Sequence, residues 1–155
     1  MLTTRITISE DLTGLRAILN HIIRAGGTTA HEEEMSQAGF RRHYFEDPDT
    51  CITVLSGSRA IGFQATFKDA DGHYSVGSFT DQANPVRGAG AALFAATIQA
   101  VRALGGTTII AKITADNAPG LAYYSKMGCE DWKIMPGDAM RNGQPVDRIV
   151  KRFEV

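Results

Sequence analysis

The chain has 155 residues, and its 16 lysines and arginines against 17 aspartates and glutamates leave a net charge of −1. That balance excludes a broad basic footprint for nucleic acid or an anionic membrane, so any anionic ligand must be gripped locally. No apolar run approaches the roughly 20 residues of a membrane span, and the opening MLTTRITISE lacks the basic-then-apolar pattern of a secretory signal, so a cytoplasmic protein with no membrane partner is expected.

Residues 3–8 alternate β-branched positions and read as a strand. Ser9 with Glu10 and Asp11 then marks a helix start, and Leu12, Leu15, Leu19 and Ile22 recur on one face until Gly26 and Gly27, which predicts a helix over 10–25. A second helix is expected over 32–46, with Ser36, Phe40 and Tyr44 four apart and Pro48 beyond its end. Three strands near 50–55, 59–68 and 73–80, separated by Ser56-Gly57-Ser58 and by Asp69-Ala70-Asp71-Gly72, form an antiparallel meander. After a glycine-rich entry, Gly90, Leu93, Phe94, Thr97, Val101 and Leu104 make a helical stripe that stops at Gly105-Gly106, before the strand TTIIAKIT. That strand-helix-strand order calls for a right-handed crossover and parallel pairing. A helix over 117–127 ends at Gly128, and two last strands flank Asn142-Gly143, the preferred dipeptide of a tight hairpin. No repeat or linker divides the chain, so residues 1–155 read as one α/β domain with a mixed, mainly antiparallel sheet. Cys51 and Cys129 stand alone in apolar segments, without metal or redox spacing, and read as buried inert thiols.

The stretch from Arg87 to Ala92 (RGAGAA) has almost no side chain to pack, so its use lies in exposed backbone. A loop that leaves a strand and opens a helix presents unpaired N–H groups at the positive end of the helix dipole, which suits phosphate. A Walker loop would need Gly-Lys-Ser/Thr, which is absent. A Rossmann turn would need glycine where Leu93 stands, and a parallel series rather than a preceding meander. What remains is Arg-x-x-Gly-x-Ala at Arg87, Gly90 and Ala92. This resembles the pyrophosphate-binding motif of the GCN5-related N-acetyltransferases (GNAT). A second segment, NAPGLAYYSKMGC over 117–129, is similar to the later motif of that family, in which an asparagine opens a helix ending in Tyr-x-Lys-x-Gly-aromatic; Tyr124, Lys126 and Gly128 fall in place, while Cys129 stands where an aromatic is usual. A weaker resemblance, to the phosphinothricin-type branch acting on small amino-acid-like amines, rests on ILNHIIRAGGTTAHEEE and NGQPVDRIVKR.

The resemblance implies a single GNAT-like domain of about seven strands and about four helices, splayed between strands four and five. It implies acetyl-CoA as co-substrate, with pantetheine against Ser78, Phe79 and Thr80, pyrophosphate at Arg87, Gly88, Ala89, Gly90, Ala91 and Ala92, and Tyr124 as the acid that protonates the leaving thiolate. Asn117 either caps its helix or bonds the cofactor. For the base, His31, Glu32, Glu33 and Glu34 fall where the family builds its acceptor pocket, and Glu32 is the candidate; Asp81 and His73 are rivals, and the three glutamates also read as a solvated helix start. His21 and His43 read as packing or surface residues, and Trp132 as a packing residue. No metal site is expected. The acceptor implied is a primary amine on a small molecule; a protein N-terminus or lysine, or a non-catalytic acyl-CoA sensor, are the alternatives. A homodimer is expected, with the alternating C-terminal strand PVDRIVKRFEV offering a face or edge to the partner.

Overall fold

A computed structural model describes residues 1–155. Seven strands form one sheet in the order β1-β2-β3-β4-β5-β7-β6. They are β1 (Leu2–Ile6), β2 (Thr50–Ser56), β3 (Arg59–Lys68), β4 (Tyr74–Thr80), β5 (Thr108–Thr114), β6 (Glu130–Arg141) and β7 (Gln144–Glu154). Four α-helices lie on the two faces: α1 (Leu12–Ala25), α2 (Gln37–Arg41), α3 (Ala89–Ala103) and α4 (Ala118–Lys126). All neighbouring strands are antiparallel except β4 and β5, which the α3 crossover joins in parallel. The Asn142-Gly143 turn between β6 and β7 has φ of 51° and 77°, the doubly positive geometry that makes this dipeptide favourable there.

Alternation along β2 and β3 sends side chains to two cores. On one face Leu15, Leu19 and Ile22 of α1 pack with Phe40, Tyr44, Phe63 and Ala65. On the other, Leu93 of α3 meets Ile52, Val54 and Ile61, and Phe94 and Val101 meet Tyr74, Val76 and Ile109. No helix is long and apolar enough to cross a membrane.

Three expectations are revised. The first concerns Ser9, which does not cap α1: Ser9–Asp11 form a 3₁₀ turn, Ser9 Oγ accepts from Arg41, and the Asp11 carboxylate accepts the Ile8 N–H at 3.0 Å. A buried carboxylate already clamped by Arg5 at 2.6 and 2.9 Å outcompetes a hydroxyl as acceptor. The second concerns 32–46, where helix begins only at Gln37, with Ser36 Oγ capping the Gly39 N–H at 3.0 Å, and Arg42–Glu46 widen into a π turn closed by the Asp47 N–H on Arg42 O. The buried Asn20 amide exchanges two hydrogen bonds with the Met35 backbone, at 2.8 and 3.0 Å, which holds 26–36 as loop. The third concerns the sheet edge: β7 is paired on both sides, by β5 and β6, so the open edge belongs to β6.

Candidate active site

β4 and β5 pair only at Tyr74↔Ile109 and Ser75↔Ile110. Beyond those residues the strands diverge, and the β5-facing edge of β4 through Ser78, Phe79 and Thr80 has no strand beside it. On its other edge β4 is paired by β3 as far as Gly62↔Thr80. Gly62 is needed there, since a Cβ would stand 2.8 Å from the Phe79 carbonyl oxygen.

Two cavities open from this split. The first, about 450 Å³, lies among the end of α1, β4 and the starts of α3 and α4, with Ser78, Phe79, Thr80, Gly90 and Asn117 in its wall. The second, about 410 Å³, lies between β4, β5, β7 and the π turn, lined by His31, His43, Tyr44, Lys112 and Arg148. Thr28, Ser78, Phe79, Asn117 and Tyr124 line both. The structure thus brings Tyr124, the β4 triplet, Gly90 and Asn117 together.

At the α3 start, Gly88 adopts φ +89°, a conformation that glycine takes without strain, and turns the chain into the helix. The N–H groups of Arg87, Gly88, Gly90 and Ala91 have no acceptor in the protein, and Ala92 makes the first helical bond, to Gly88 O at 3.0 Å. Ala89 is buried in the β2-β3 core, so it anchors the turn rather than facing the cavity. Arg87 is exposed and forms no ion pair. This array fits an anionic group. Gly90 has a second role: its ideal Cβ would lie 2.6 Å from Cε1 of Tyr123. The Tyr123 hydroxyl donates to Gly90 O at 2.6 Å and accepts from Gln64 Nε2 at 3.1 Å, so this ring locks α4 to α3.

No such backbone bond holds Tyr124, whose ring is buried where the two cavities meet. Burial, reinforced by neighbouring Tyr123, pushes its phenol well above the ordinary value, so it keeps its proton at neutral pH. Asn117 is a helix cap: Oδ1 accepts the Gly120 N–H at 2.9 Å, while Nδ2 donates to Thr28 O at 2.6 Å and ties the 26–36 loop to α4.

Glu32 is not brought to either cavity. It lies at the β6-β7 hairpin, where Oε1 accepts the Asn142 N–H at 2.9 Å. Glu34 pairs with Arg24, and Glu33 is exposed. Asp81 pairs with Arg59 at 2.9 Å and accepts two turn N–H groups; His73 packs edge-on to Trp132 and lines neither cavity. Trp132 is 38% exposed on β6, under Lys133 and Arg152, so it packs at the surface and not in the core.

His31 does line the second cavity, with Nε2 2.6 Å from the Tyr44 hydroxyl. Burial, His43 and Arg148 lower its pKa and burial raises the Tyr44 phenol, so both partners of that bond favour their uncharged forms, and the His31 tautomer sets which of them donates. His43 packs edge-on to Tyr44 and against Phe67, as a packing residue was expected to, and it also lines the same wall. Sequence reasoning also missed Gln64, Asn20 and Arg141. The last reaches back over the 26–36 loop to Thr29 O at 2.6 Å while pairing with Asp116. Long-range polar bonds of this kind leave no periodic mark in a sequence.

Similarity to known proteins agrees with this geometry. The family profile described as Acetyltransferase (GNAT) family matches residues 15–129. No curated protein matches the sequence. Among solved structures, the ribosomal-protein-alanine N-acetyltransferase of Brucella melitensis is 17% identical, with a TM-score of 0.88 over 99% of each chain. A GNAT superfamily phosphinothricin acetyltransferase of Sinorhizobium meliloti, solved with acetyl-CoA, is 18% identical with a TM-score of 0.86, over 99% of this chain and 88% of that one. An N-acetyltransferase of Staphylococcus aureus Mu50 is 15% identical with a TM-score of 0.84, over 99% and 98%. At such identities the likeness is one of fold.

Proposed function

Because the chain belongs to the acetyltransferase (GNAT) family, we propose that it transfers the acetyl group of acetyl-CoA to the primary amine of a small molecule. The observation that carries this reading is the split between β4 and β5, with a cavity on each side of Tyr124. Acetyl-CoA enters by the first cavity, its pantetheine along Ser78, Phe79 and Thr80 and its pyrophosphate at the free N–H groups of Gly88, Gly90 and Ala91, with Arg87 alongside. The amine enters by the second.

The neutral amine attacks the thioester carbonyl, forming the C–N bond and a tetrahedral oxyanion. Collapse of that intermediate breaks the C–S bond, and the thiolate takes the Tyr124 proton. The proton lost by nitrogen goes to a group in the acceptor cavity. Glu32 is absent from the lining of that cavity and its carboxylate is engaged by the Asn142 N–H, whereas His31 lines it in its neutral form, which makes His31 the candidate proton acceptor by position. Asn117 acts by position, holding the start of α4 against the 26–36 loop. That loop is tied down by Asn117, Arg141 and Asn142 and supplies Thr28, Thr29, Ala30 and His31 to the wall of the second cavity, which supports a defined pocket for a small acceptor.

Release of free thiol from acetyl-CoA on addition of a panel of amines, beside calorimetry for acetyl-CoA alone, tests the reading. Turnover with small amines supports it. Tight acetyl-CoA binding without turnover on any amine or peptide favours an acyl-CoA sensor. The proposed homodimer would use the open β6 edge, where Trp132, Ile134 and Met140 are exposed; a concentration-independent monomer mass in light scattering would remove it.

A further inference from the structure

Gln64 is fully buried in β3, directly opposite Ser78 of β4, and its amide oxygen has no hydrogen-bond partner in the protein. An unpaired buried amide oxygen is uncommon in a native core and asks for a reason. The Asp81 N–H bonds Ile61 O and the Asp69 N–H bonds His73 O, so the backbone-bonded pairs of this ladder fall on odd-numbered residues. Gln64 and Ser78 are therefore a non-hydrogen-bonded pair, whose side chains stand closest, and the Ser78 backbone is left to the split while its side chain meets Gln64. Gln64 Nε2 lies 3.0 Å from Ser78 Oγ and 3.1 Å from the Tyr123 hydroxyl.

Tyr123 has a single hydroxyl hydrogen, and it goes to Gly90 O at 2.6 Å. Its oxygen can then only accept, so Gln64 must turn its amide nitrogen towards it, and the second hydrogen of that nitrogen goes to Ser78 Oγ. This orientation is what leaves the Gln64 oxygen unpartnered. Ser78 Oγ is thereby an acceptor, and its own hydrogen is free for another oxygen. Tyr123 O already accepts from Gln64, whereas Tyr124 O accepts from no group of the protein. Ser78 and Tyr124 both border the two cavities, and the rings of Tyr123 and Tyr124 are 4.8 Å apart at their centroids. The Ser78 hydroxyl opposes the burial that raises both phenols, which agrees with its lying near each. Bonds of this kind often tighten only in the bound complex.

We infer that, with acetyl-CoA bound, Ser78 donates its hydroxyl hydrogen to the Tyr124 oxygen, so that a directed chain from Gln64 through Ser78 turns the Tyr124 proton towards the sulfur and steadies the phenolate that forms. This rests on the acetyltransferase reading above. When the C–S bond breaks, sulfur takes the Tyr124 proton and the negative charge passes to the phenol oxygen, where the Ser78 hydrogen already points. Ser78 and Gln64 keep their own hydrogens, and water returns a proton to Tyr124 after coenzyme A leaves. Both residues act through Tyr124 and are positioning residues in this role.

The test follows ionisation of the thiol of coenzyme A bound to the full-length protein, by thiolate absorbance against pH. The complex with desulfo-coenzyme A is the blank for Cys51, Cys129 and the tyrosines. Parent, Ser78→Ala, Tyr124→Phe and the double variant form a cycle. Ser78→Ala should weaken thiol ionisation roughly three- to tenfold, or about 0.5 to 1 pKa unit. Ser78→Thr, which keeps the hydroxyl, should restore it, and Ser78→Ala should change nothing further in the Tyr124→Phe background. Gln64→Leu should give a smaller loss of the same kind; Ser78 is only half-buried, so its cycle keeps the test usable if the Gln64 variant does not fold. Unchanged ionisation in Ser78→Ala, or an equal loss with and without the Tyr124 hydroxyl, overturns the inference. Absence of coenzyme A binding sinks the inference and the acetyltransferase together. Thiol release from acetyl-CoA with the amine panel separates the two readings: turnover with no Ser78 effect on ionisation keeps the acetyltransferase and sinks the chain. The expected cycle with no turnover keeps the chain and sinks the enzyme.

Discussion

Gly90→Ala separates two uses of a small residue at the α3 start. Gly90 needs no special backbone conformation, since its φ is not in the left-handed region, so the substitution adds one methyl group and nothing else. That methyl would stand 2.6 Å from Cε1 and 3.3 Å from Cζ of Tyr123, a rigid ring held by Gly90 O and Gln64. Overpacking of this kind costs about 1–3 kcal/mol, and a displaced Tyr123 hydroxyl loses a bond of about 1 kcal/mol. Alanine returns up to about 1 kcal/mol of helix propensity. A net loss of about 1–3 kcal/mol follows, or roughly 3–10 °C in Tm at this chain length. The assay is a melting curve with and without acetyl-CoA, repeated in a Tyr123→Leu background. There the ring is gone, so Gly90→Ala should be neutral or stabilising, and the coupling between the sites should be about 1–3 kcal/mol. A Gly90→Ala protein that melts within about 1 °C of the parent but loses acetyl-CoA affinity would refute the packing role and return Gly90 to phosphate approach alone.

Tyr124→Phe keeps the packed ring and deletes the proton, so turnover with the best amine should fall roughly 10²- to 10⁴-fold with acetyl-CoA affinity little changed; near-normal turnover would show that thiolate needs no acid from this residue. Burial would raise the Asp11 pKa, but bonds from Arg5, Ile8 and Thr53 outweigh it and hold the carboxylate below its ordinary value. A depressed folded pKa gives stability that is complete above the unfolded value and lost as pH falls through the folded one, so Asp11→Asn should cost about 1–3 kcal/mol at pH 7 and flatten the acid limb in urea titrations. A wild-type acid limb unchanged in the variant would count against the clamp. Burial raises both Cys51 and Cys129 to about 11, so at pH 8 an aromatic disulfide reagent should label the folded protein about 100-fold more slowly than an unfolded control. Comparable rates would mean that the thiols are accessible as thiolates.

Local chemistry made some of this protein legible from the chain alone. The glycine-rich entry to α3, the asparagine that opens α4 and the Asn142-Gly143 turn each depend on a few adjacent residues, and each takes the conformation that those residues favour. Strand alternation and helical stripes likewise gave the element order and the mixed sheet, because burial follows a short period. Features that depend on residues far apart in the chain were decided only by tertiary structure. Asn117 meets Thr28 across 89 positions and Arg141 meets Thr29 across 112, while Asn20 holds Met35, so 26–36 is a loop although helix was expected from 32 onward. The same closure carries Glu32 to the hairpin and brings His31 beside Tyr44. Tyr123 and Tyr124 are adjacent phenols in the sequence, yet one is bound to Gly90 and Gln64 and the other borders both cavities. A sequence reports what a residue is and which neighbours share its face; which carboxylate, histidine or phenol reaches a cavity depends on how distant backbone polar groups find their partners.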